Sequence, residues 1–329
     1  MSPSSNRVIL LSEYGGAERL RIASMQVPPL AAGEIRLRQT AIGVNYHDVY
    51  VRSGLYKTLP LPGIPGIEAV GYVEDVAPDV TDFRVGDRVG YVAPAYGGYA
   101  ECRNLPADRA VRIPGGLMSD VEAAATLMKS LTAHVLLRQV HALRAGDKIL
   151  VHAAAGGMGQ LLCRWASHLG ATVVGTVGSV EKAAIAREAG AAHVVLYREE
   201  DVAARVFDIT AGRGADVVYD AVGADTFAAS MASLAFCGHL VNYGQASGPV
   251  EPVALGALAT RSLSLSRPIV FHYLRDAASL AAMARDVFEA LGKGYMKPIT
   301  PMVLPFEAAA RAHEILESRQ SPGGIVLIP

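Results

Sequence analysis

The sequence predicts two domains: an α/β domain with a doubly wound parallel sheet, and a second domain rich in short β-strands. The first observation is length, because 329 residues exceed the usual size of one compact domain, roughly 100–200 residues. The second is the order of predicted elements, since strands and turns fill the first part of the chain and βαβ alternation follows. The third is composition: 51% hydrophobic and 19% charged residues are typical of a globular protein and exclude general disorder.

The β-rich domain is predicted to be mainly antiparallel. Residues 34–38 alternate polar and apolar side chains, residues 70–76 form a second β-rich run, and a glycine turn precedes a strand at 88–92. No alternation of helices and strands interrupts this region. Beyond about residue 268 the patterns predict helices at 274–291 and 306–318 and a final strand at 324–328.

The α/β domain begins with a helix. An acidic first turn at 119–122 predicts its start, and helical spacing continues through 123–143. Strands and helices then alternate, which predicts a parallel sheet covered on both faces. The predicted strands are 148–153, 172–177, 193–196, 216–220 and 238–243, and the predicted helices are 159–169, 181–189, 202–210 and 226–234.

A glycine-rich turn joins the first of these strands to its helix. Residues 154–159 read Ala-Ala-Gly-Gly-Met-Gly, an AxGxxG pattern with Ala154 in place of the first glycine of GxGxxG. Small residues let the backbone approach a pyrophosphate, and the helix amino terminus directs N–H groups towards it. Many such turns need glycine for backbone reasons alone, but the βαβ context on both sides favours a dinucleotide site.

The end of the second α/β strand predicts which dinucleotide is bound. An NAD enzyme usually carries Asp or Glu there to bind the ribose 2′-hydroxyl, whereas this strand ends in Gly178-Ser179-Val180. Lys182 follows, in a chain with many more arginines than lysines. Although a lysine is usually a solvated residue on a helix face, the missing acid and the nearby cation together favour NADP(H).

Charge and cysteine content exclude several classes of protein. A net charge of -1 gives no field that would attract nucleic acid or anionic lipid, so a nucleic-acid or membrane partner is not expected. Cys102, Cys163 and Cys237 lie far apart without a CxxC pair, which predicts buried free thiols in a reducing compartment, the cytoplasm. The apolar run 8–11 is too short for a signal peptide, and the uncharged run 226–250 is interpreted as helix, turn and strand.

Several segments together resemble a known family. They are residues 43–48, 52–56, 65–68, 128–133, 153–159, 218–223 and 312–318. In combination they are similar to the zinc-free, zeta-crystallin-like NADPH:quinone oxidoreductases of the medium-chain dehydrogenase/reductase superfamily. The resemblance runs from about residue 8 to the last residue. It implies a GroES-like catalytic domain (1–125 and 268–329) and a Rossmann-type NADPH-binding domain (126–267).

The resemblance also implies site residues. The residues expected at the pyrophosphate are Gly156, Gly157, Met158 and Gly159, and those around the 2′-phosphate are Ser179, Lys182 and Tyr197. The residues expected on the nicotinamide side are Asn45, Tyr46, Asp48, Lys129 and Thr132. Tyr243, Gly244 and Gln245 occupy the segment that closes over the nicotinamide, where the family often has Phe-Gly.

No catalytic metal is expected. Zinc-using relatives take a ligand from Gly-His-Glu, and here the matching triplet is Gly66-Ile67-Glu68, whose isoleucine cannot bind a metal. Without a Lewis acid the site suits a quinone, whose reduction restores aromaticity. Tyr46, Tyr50 and Tyr56 are then expected to line the substrate slot, although tyrosines in a β-rich domain are often structural. No Ser/His/Asp arrangement is apparent and no general acid is assigned, because solvent can protonate a hydroquinone.

Three functions remain open at this point. The first is an NADPH-dependent quinone reductase, and the second is an NADPH-dependent reductase of the activated C=C bond of an enone or alkenal. The third is a protein that binds NADPH without turnover, as the lens-crystallin role of relatives suggests. The resemblance further implies a homodimer, in which the strand at 238–243 and residues 262–265 extend a sheet across a two-fold axis.

Overall fold

The computed structural model describes residues 5–318, 321 and 323–329. Residues 1–4, part of the segment for which no signal peptide is predicted, lie outside the described residues. The chain forms two compact units. The first comprises Met1–Met128, Tyr273–Gly292 and Pro298–Pro329, and the second comprises Lys129–His272 and Lys293–Lys297. These divisions fall close to those predicted at 125 and 267, and the catalytic and cofactor-binding roles assigned to the units stay predictions.

Strands predominate in the first part of the chain, and strands and helices alternate after it, as the sequence predicts. The strands are β1 Ser5–Leu11, β2 Leu20–Gln26, β3 Glu34–Val44, β4 Glu68–Val76, β5 Arg88–Val92, β6 Cys102–Pro106, β7 Ala110–Arg112, β8 Lys148–Val151, β9 Thr172–Val177, β10 His193–Leu196, β11 Ala215–Asp220, β12 Leu234–Asn242, β13 Ser264–Ser266, β14 Met302–Pro305 and β15 Ile325–Ile328. The helices are α1 Tyr46–Ser53, α2 Asp120–His134, α3 Gly157–His168, α4 Val180–Glu188, α5 Val202–Ile209, α6 Phe227–Ser233, α7 Leu255–Ala259, α8 Val270–Tyr273, α9 Ala277–Gly292 and α10 Ala309–Glu317. Short 3₁₀ turns span Ala17–Arg19, Ala107–Arg109 and Phe306–Ala308, and a π-helix spans Val135–Val140.

The first unit is built on a seven-stranded sheet. Its strand order is β14-β15-β3-β4-β5-β7, with β6 also paired to β3, and all of its pairs except β14–β15 are antiparallel. Along β3 the side chains of Ile35 and Leu37 are fully buried, as the alternating pattern at 34–38 predicts, and Ile42 is buried beyond a register shift in the pairing of β3 with β4. They share one core with Phe306 and Leu327 from the carboxyl-terminal segment, so the tail completes this unit.

The second unit is a six-stranded parallel sheet in the order β10-β9-β8-β11-β12-β13. From β8 the chain moves outward through β9 to β10, then returns to pair β11 with β8 and moves outward again. The strand order therefore reverses between β8 and β11, which is where α/β sheets of this kind bind ligands. Leu150, Val174, Val218 and Leu240 are fully buried in its core, and the predicted doubly wound fold is confirmed.

Two helices differ from the expectation. Helix α2 begins at the predicted turn, where Ser119 and Glu122 form reciprocal side-chain-to-backbone hydrogen bonds of 2.8 and 3.2 Å. It ends at His134, earlier than predicted, because the chain continues as a π-helix. Helix α1 was not predicted. Its signals are local: Asn45 and Asp48 form a capping box, and Gly54 ends the helix in the left-handed region.

The prediction that all three cysteines are buried is wrong for one of them. Cys102 and Cys163 are buried, but Cys237 is exposed. Within β12 the pairing with β11 shifts register, and Cys237 adopts a left-handed φ of 59°. This bulge turns Cys237 and its neighbour Phe236 to the surface.

A helix that crosses a bilayer must be both long and apolar. In the part of the chain that the structure describes, no helix meets both requirements. The uncharged run 226–250 folds as α6 followed by β12 and a loop, as predicted.

Candidate functional site

The glycine-rich turn between β8 and α3 is closely packed. Gly156 is the N-cap of α3, and its N–H donates a 2.9 Å hydrogen bond to the carbonyl of Ala153, which has a left-handed φ of 51°. A Cβ atom at Gly159 would contact the Ala153 carbonyl oxygen and would lie 2.7 Å from the Cα of Ala154. A side chain at this position would therefore push the helix away from the strand end.

Ala154, which replaces the first glycine of the usual pattern, has a counterpart on the neighbouring strand. It is fully buried, and its N–H donates to the carbonyl of Thr176 at 3.1 Å. A Cβ atom at Gly175 would lie only 2.7 Å from the Cβ of Ala154, which is closer than two carbons can pack. The glycine on β9 therefore provides the space that the alanine in the turn occupies.

The other predicted cofactor residues of the second unit follow strand ends at the same edge of the sheet. Ser179 and Lys182 follow β9, Tyr197 follows β10, and the loop 243–245 follows β12. The N–H of Tyr243 donates to the carbonyl of Asp220 at 2.8 Å. Because the sheet is parallel, these carboxyl ends and the glycine turn share one edge.

Of the residues predicted around a 2′-phosphate, Tyr197 lies against Gly178. A Cβ atom there would lie 2.7 Å from the Tyr197 hydroxyl and 3.4 Å from Nε of Arg198. Lys182, exposed, is in the first turn of α4. Arg198 was not predicted as a site residue, although its place directly after Tyr197 is visible in the sequence. The end of β9 is thus followed by a glycine without a side chain, with the Tyr197 phenol and the Arg198 guanidinium beside it, and Lys182 comes next in α4. Such groups suit a phosphate.

Ser179 has competing partners. Its hydroxyl caps α4 by accepting a 3.4 Å hydrogen bond from the N–H of Lys182. A hydrogen bond with the same serine lowers the pKa of the Glu181 carboxyl group, which is exposed. Glu181 lies in the first turn of α4, just beyond the strand end that was used to predict the cofactor.

In the first unit, Glu68 fixes the start of α1. The Asn45 amide donates to Oε2 of Glu68 at 2.9 Å, and the N–H of Met128 donates to Oε1 at 2.6 Å. The N–H of Asn45 in turn donates to Asp48 at 2.9 Å. Glu68 is fully buried. In this chain the glutamate of the Gly-Ile-Glu triplet therefore positions Asn45, one of the residues predicted on the nicotinamide side.

Asp48 belongs to a second buried set. The Tyr99 hydroxyl donates to Asp48 at 3.1 Å and lies 3.0 Å from Nε2 of His313. Because that hydroxyl proton goes to Asp48, Nε2 of His313 carries the proton of its own bond, and Nδ1 has no hydrogen-bond partner. Burial, and then the charge of Arg52, lower the pKa of His313 to about 3. His313 is therefore neutral near pH 7.

The three tyrosines predicted for the substrate slot lie together. Ring centroids of Tyr46 and Tyr50 are 5.2 Å apart, and those of Tyr50 and Tyr56 are 5.0 Å apart. His47 continues this aromatic cluster, with its ring 5.7 Å from Tyr56 and 6.0 Å from Tyr96. Tyr50 is buried, whereas Tyr46 and Tyr56 are half-buried, and tilted rings at these spacings are typical of packed aromatic clusters.

A hydrogen-bonded chain connects this aromatic cluster to the surface. Nε2 of His47 is 3.1 Å from the Tyr96 hydroxyl, which lies 2.5 Å from the hydroxyl of the exposed Thr58. Burial lowers the pKa of His47 to about 4, so this imidazole is neutral near pH 7. A neutral imidazole accepts a proton at one nitrogen while it donates from the other. Neither His47 nor Tyr96 was predicted as a site residue.

Lys129 and Thr132, the remaining predicted nicotinamide contacts, belong to the second unit. They are three residues apart on α2 and half-buried. This spacing places them on one face of the helix.

A buried polar network behind the glycine turn was not anticipated. His152 follows β8; its Nδ1 lies 2.9 Å from the Thr176 hydroxyl and its Nε2 lies 3.0 Å from the Ser230 hydroxyl. Ser230 donates to Asp220 at 2.7 Å, so its oxygen accepts from Nε2–H and Nδ1 accepts from Thr176. Burial lowers the pKa of His152.

Asp220, Ser230 and His152 are therefore adjacent, although no Ser/His/Asp arrangement was apparent from the sequence. The serine proton points to the aspartate, not to the histidine, and all three side chains are buried. This order differs from that of a serine hydrolase, where the histidine accepts the serine proton. The network fixes the strand ends β8, β9 and β11 beside the turn.

The side chains that usually bind metal ions in proteins are those of His, Cys, Asp and Glu. Among residues 5–318 and the described carboxyl-terminal residues, no group of three or more His, Cys, Asp or Glu side chains could hold a metal ion. Ile67 is fully buried in the apolar core.

Comparison with known proteins identifies the family. Residues 31–115 match the alcohol dehydrogenase GroES-like domain, and residues 157–285 match the zinc-binding dehydrogenase domain. A quinone oxidoreductase of Pseudomonas aeruginosa is 42% identical over 325 residues, which cover 98% of this chain and 99% of that protein. The chain belongs to the quinone oxidoreductase family of the medium-chain dehydrogenase/reductase superfamily.

A solved structure and a second relative extend the comparison. The structure of the Escherichia coli quinone oxidoreductase complexed with NADPH has a TM-score of 0.95 and 39% identity, covering 98% of this chain and all of that one. A 2-haloacrylate reductase of Burkholderia is 40% identical, covering 97% of this chain and 98% of that protein. The resemblance and the Rossmann-type and GroES-like fold predicted from the sequence are confirmed.

Proposed function

We propose that this protein is an NADPH-dependent quinone reductase that works without a metal ion. The observation that carries the proposal is the end of β9, where the Tyr197 hydroxyl and the Arg198 guanidinium lie against Gly178 and Lys182 follows. No carboxylate ends this strand, so the position suits a 2′-phosphate better than a 2′-hydroxyl. The names of the relatives, a quinone oxidoreductase and an NADPH complex of another, support the same activity.

The residues of the glycine turn fit the dinucleotide. Gly156, Gly157 and Gly159 leave the amino terminus of α3 without side chains that would block an approaching pyrophosphate, and Met158 lies within the same first turn. The loop of Tyr243, Gly244 and Gln245 is proposed to bound the nicotinamide end. Bound NADPH supplies the hydride.

In the first unit, the chain's own side chains are proposed to hold the acceptor. Asn45 and Asp48 fix the start of α1. Tyr46, Tyr50 and Tyr56 are proposed to form the wall of the substrate slot, in which the half-buried Tyr46 and Tyr56 flank the buried Tyr50. A flat quinone can stack on such a wall and accept hydrogen bonds from its hydroxyl groups. Lys129 and Thr132 are proposed to contact the cofactor from α2.

The experiment is a steady-state comparison of quinones with enones, each with NADPH and with NADH. We expect turnover of a quinone with NADPH as the preferred donor. A preference for NADH, or the stoichiometric presence of zinc together with loss of activity on chelation, contradicts the proposal. Binding of NADPH without turnover of either acceptor class would instead indicate the non-catalytic alternative.

Reduction of an activated C=C bond is a second candidate. The hydrogen-bonded chain from Thr58 through Tyr96 to His47 favours it, because an enolate formed by hydride addition must gain a proton at carbon. The hydroquinone monoanion formed by hydride transfer to a quinone needs one proton at oxygen, which water supplies readily. The 40% identity with a 2-haloacrylate reductase points the same way. The same screen distinguishes the two acceptor classes.

We further propose a homodimer located in the cytoplasm. Strand β13 is the end strand of the six-stranded sheet and pairs only with β12 there, so its outer edge can pair with a second copy. The exposed Phe236 adds apolar surface on the adjoining strand. Light scattering on the purified protein should give twice the chain mass of 34.6 kDa, and a monomer would exclude the dimer. Cell fractionation tests the compartment.

A further inference from the structure

Two histidines of the second unit face each other away from the cofactor edge of the sheet. His141 follows the π-helix and precedes β8, and His239 lies in β12. Their Nδ1 atoms are 3.4 Å apart, and their ring centroids are 5.5 Å apart. Both side chains are half-buried. The glycine turn follows β8, whereas this pair lies beside Asp147, before β8, so the two sites are at opposite ends of the strand.

The second nitrogen of each ring has an oxygen partner. Nε2 of His239 is 2.6 Å from the Ser266 hydroxyl, and Nε2 of His141 is 3.8 Å from a carboxylate oxygen of Asp147. The carboxylate can only accept, which favours the proton on Nε2 of His141 and leaves a lone pair on its Nδ1. The Ser266 hydroxyl can accept from or donate to Nε2 of His239. Burial lowers the pKa of both histidines, and each is therefore neutral near pH 7.

Two Nδ1 atoms 3.4 Å apart can share one proton, and a metal ion can take the place of that proton. A metal ion about 2.05 Å from both nitrogens would make an N–metal–N angle of about 112°, close to tetrahedral. The same arrangement would put the ring centroids about 5.3 Å apart, against the 5.5 Å observed. The Nδ1–Nδ1 distance of 3.4 Å and the 49° angle between the ring planes show that the nitrogens, not the ring faces, oppose each other.

We propose that His141 and His239 form a two-histidine site, through their Nδ1 atoms, for a divalent d-block cation such as Cu²⁺, Ni²⁺ or Zn²⁺. Imidazole nitrogen suits these ions and not Mg²⁺ or Ca²⁺, which take oxygen ligands. Water completes the coordination, because no third His, Cys, Asp or Glu joins the pair within the described part of the chain. Ser266 and Asp147 orient the rings from the far side.

The position of this two-histidine site gives it a structural role. His141 is in the connection leading to β8, His239 is in β12, and the orienting Ser266 is in the end strand β13. A bound ion would tie that connection to the strands at the end of the sheet. It binds the folded state only, so it raises the unfolding temperature of the second unit.

Calorimetric titration of the full-length, untagged protein with Cu²⁺, Ni²⁺ and Mg²⁺ tests the site. We expect about one Cu²⁺ per chain, weaker Ni²⁺ and no Mg²⁺ binding, in the order that imidazole ligands give. His141→Ala and His239→Ala should each weaken Cu²⁺ binding by about ten-fold or more, and Ser266→Ala by about ten-fold through loss of ring orientation. His193→Ala, at an exposed histidine of β10, is the matched control and should bind as wild type does.

A spectroscopic measurement separates an ion from a shared proton. The electron paramagnetic resonance spectrum of the Cu²⁺ complex should show two nitrogen ligands, reduced to one in either alanine variant. Cu²⁺ binding that is unchanged in His141→Ala and His239→Ala, or lost in His193→Ala, overturns the proposal. The proposal also fails if ¹⁵N spectra show that the two rings share an Nδ1–H proton and that neither Ni²⁺ nor Zn²⁺ displaces this proton. Melting curves without metal verify that each variant is folded.

Discussion

The regions of the two units that carry the predicted site residues are constructed in opposite ways. At the carboxyl edge of the second unit's sheet, what matters is the absence of side chains: Gly159 and Gly178 bring backbone close to Ala154 and Tyr197. In the first unit, what matters is side chains that converge from distant positions, such as His47 and Tyr96. A backbone site fails when atoms are added, and a side-chain site fails when particular groups are removed. This contrast predicts very different sensitivities to substitution.

The largest effect is expected from adding atoms to the glycine turn. Gly159→Ala places a Cβ against the Ala153 carbonyl and 2.7 Å from the Ala154 Cα, so we expect a loss of about 3 kcal/mol in stability, at the upper end for overpacking, and weak NADPH binding. Thermal unfolding and cofactor titration measure both. Gly256→Ala is the control, because its Cβ would meet open space. Equal behaviour of the two variants would contradict the backbone interpretation.

Acid should destabilise the first unit through His313. Folding lowers the pKa of this histidine from 6.5 to about 3, so the folded state excludes a proton that the unfolded chain binds. The stabilisation is complete above pH 6.5 and is lost as the pH falls towards 3; at pH 4 the loss is roughly 3 kcal/mol.

His313→Gln tests this prediction, because its amide can donate to Tyr99 as Nε2 does but does not titrate. Urea unfolding of both proteins at pH 7 and pH 4 should show a smaller acid loss in the variant. A parallel pH dependence in the two proteins would show that other groups dominate acid unfolding.

Removal of a cation at the end of β9 should change the cofactor preference. Lys182→Ala is expected to raise KM for NADPH about ten-fold, which corresponds to about 1.4 kcal/mol, and to leave KM for NADH nearly unchanged. Arg198→Ala should act in the same direction. The exposed Arg285 in α9 gives a charge-matched control variant, Arg285→Ala. Equal losses with both cofactors would show that Lys182 does not bind the phosphate.

The smallest expected effect concerns the aromatic cluster. Tyr96→Phe removes only the hydroxyl that joins Thr58 to His47. We expect enone reduction to slow by about five-fold or less, with a larger solvent isotope effect, and quinone reduction to be unchanged, because water can replace a relay in part. Tyr72→Phe, at an exposed tyrosine of β4, is the control. Equal slowing with quinones would assign the hydroxyl a packing role.

The same contrast explains what the sequence could predict. The parallel sheet, the glycine turn and the end of β9 are encoded by runs of neighbouring residues, so their patterns are visible in the chain. The contacts of Asp48 with Tyr99, of Tyr99 with His313 and of His152 with Ser230 join residues 51, 214 and 78 positions apart. Such partners depend on tertiary packing, which a local pattern does not contain. The exposure of Cys237 was missed for the same reason, because a bulge depends on the partner strand.

Ala154 and Gly175 show how one methyl group can be moved between two strand ends. A turn that carries alanine where glycine is usual can exist only while its neighbour on β9 lacks a Cβ, since the two carbons would be 2.7 Å apart. The pair is therefore epistatic: Gly175→Ala is harmful alone and becomes tolerable once Ala154→Gly has occurred. A mutational scan that varies one site at a time would classify Gly175 as invariant, although the double exchange keeps the total volume.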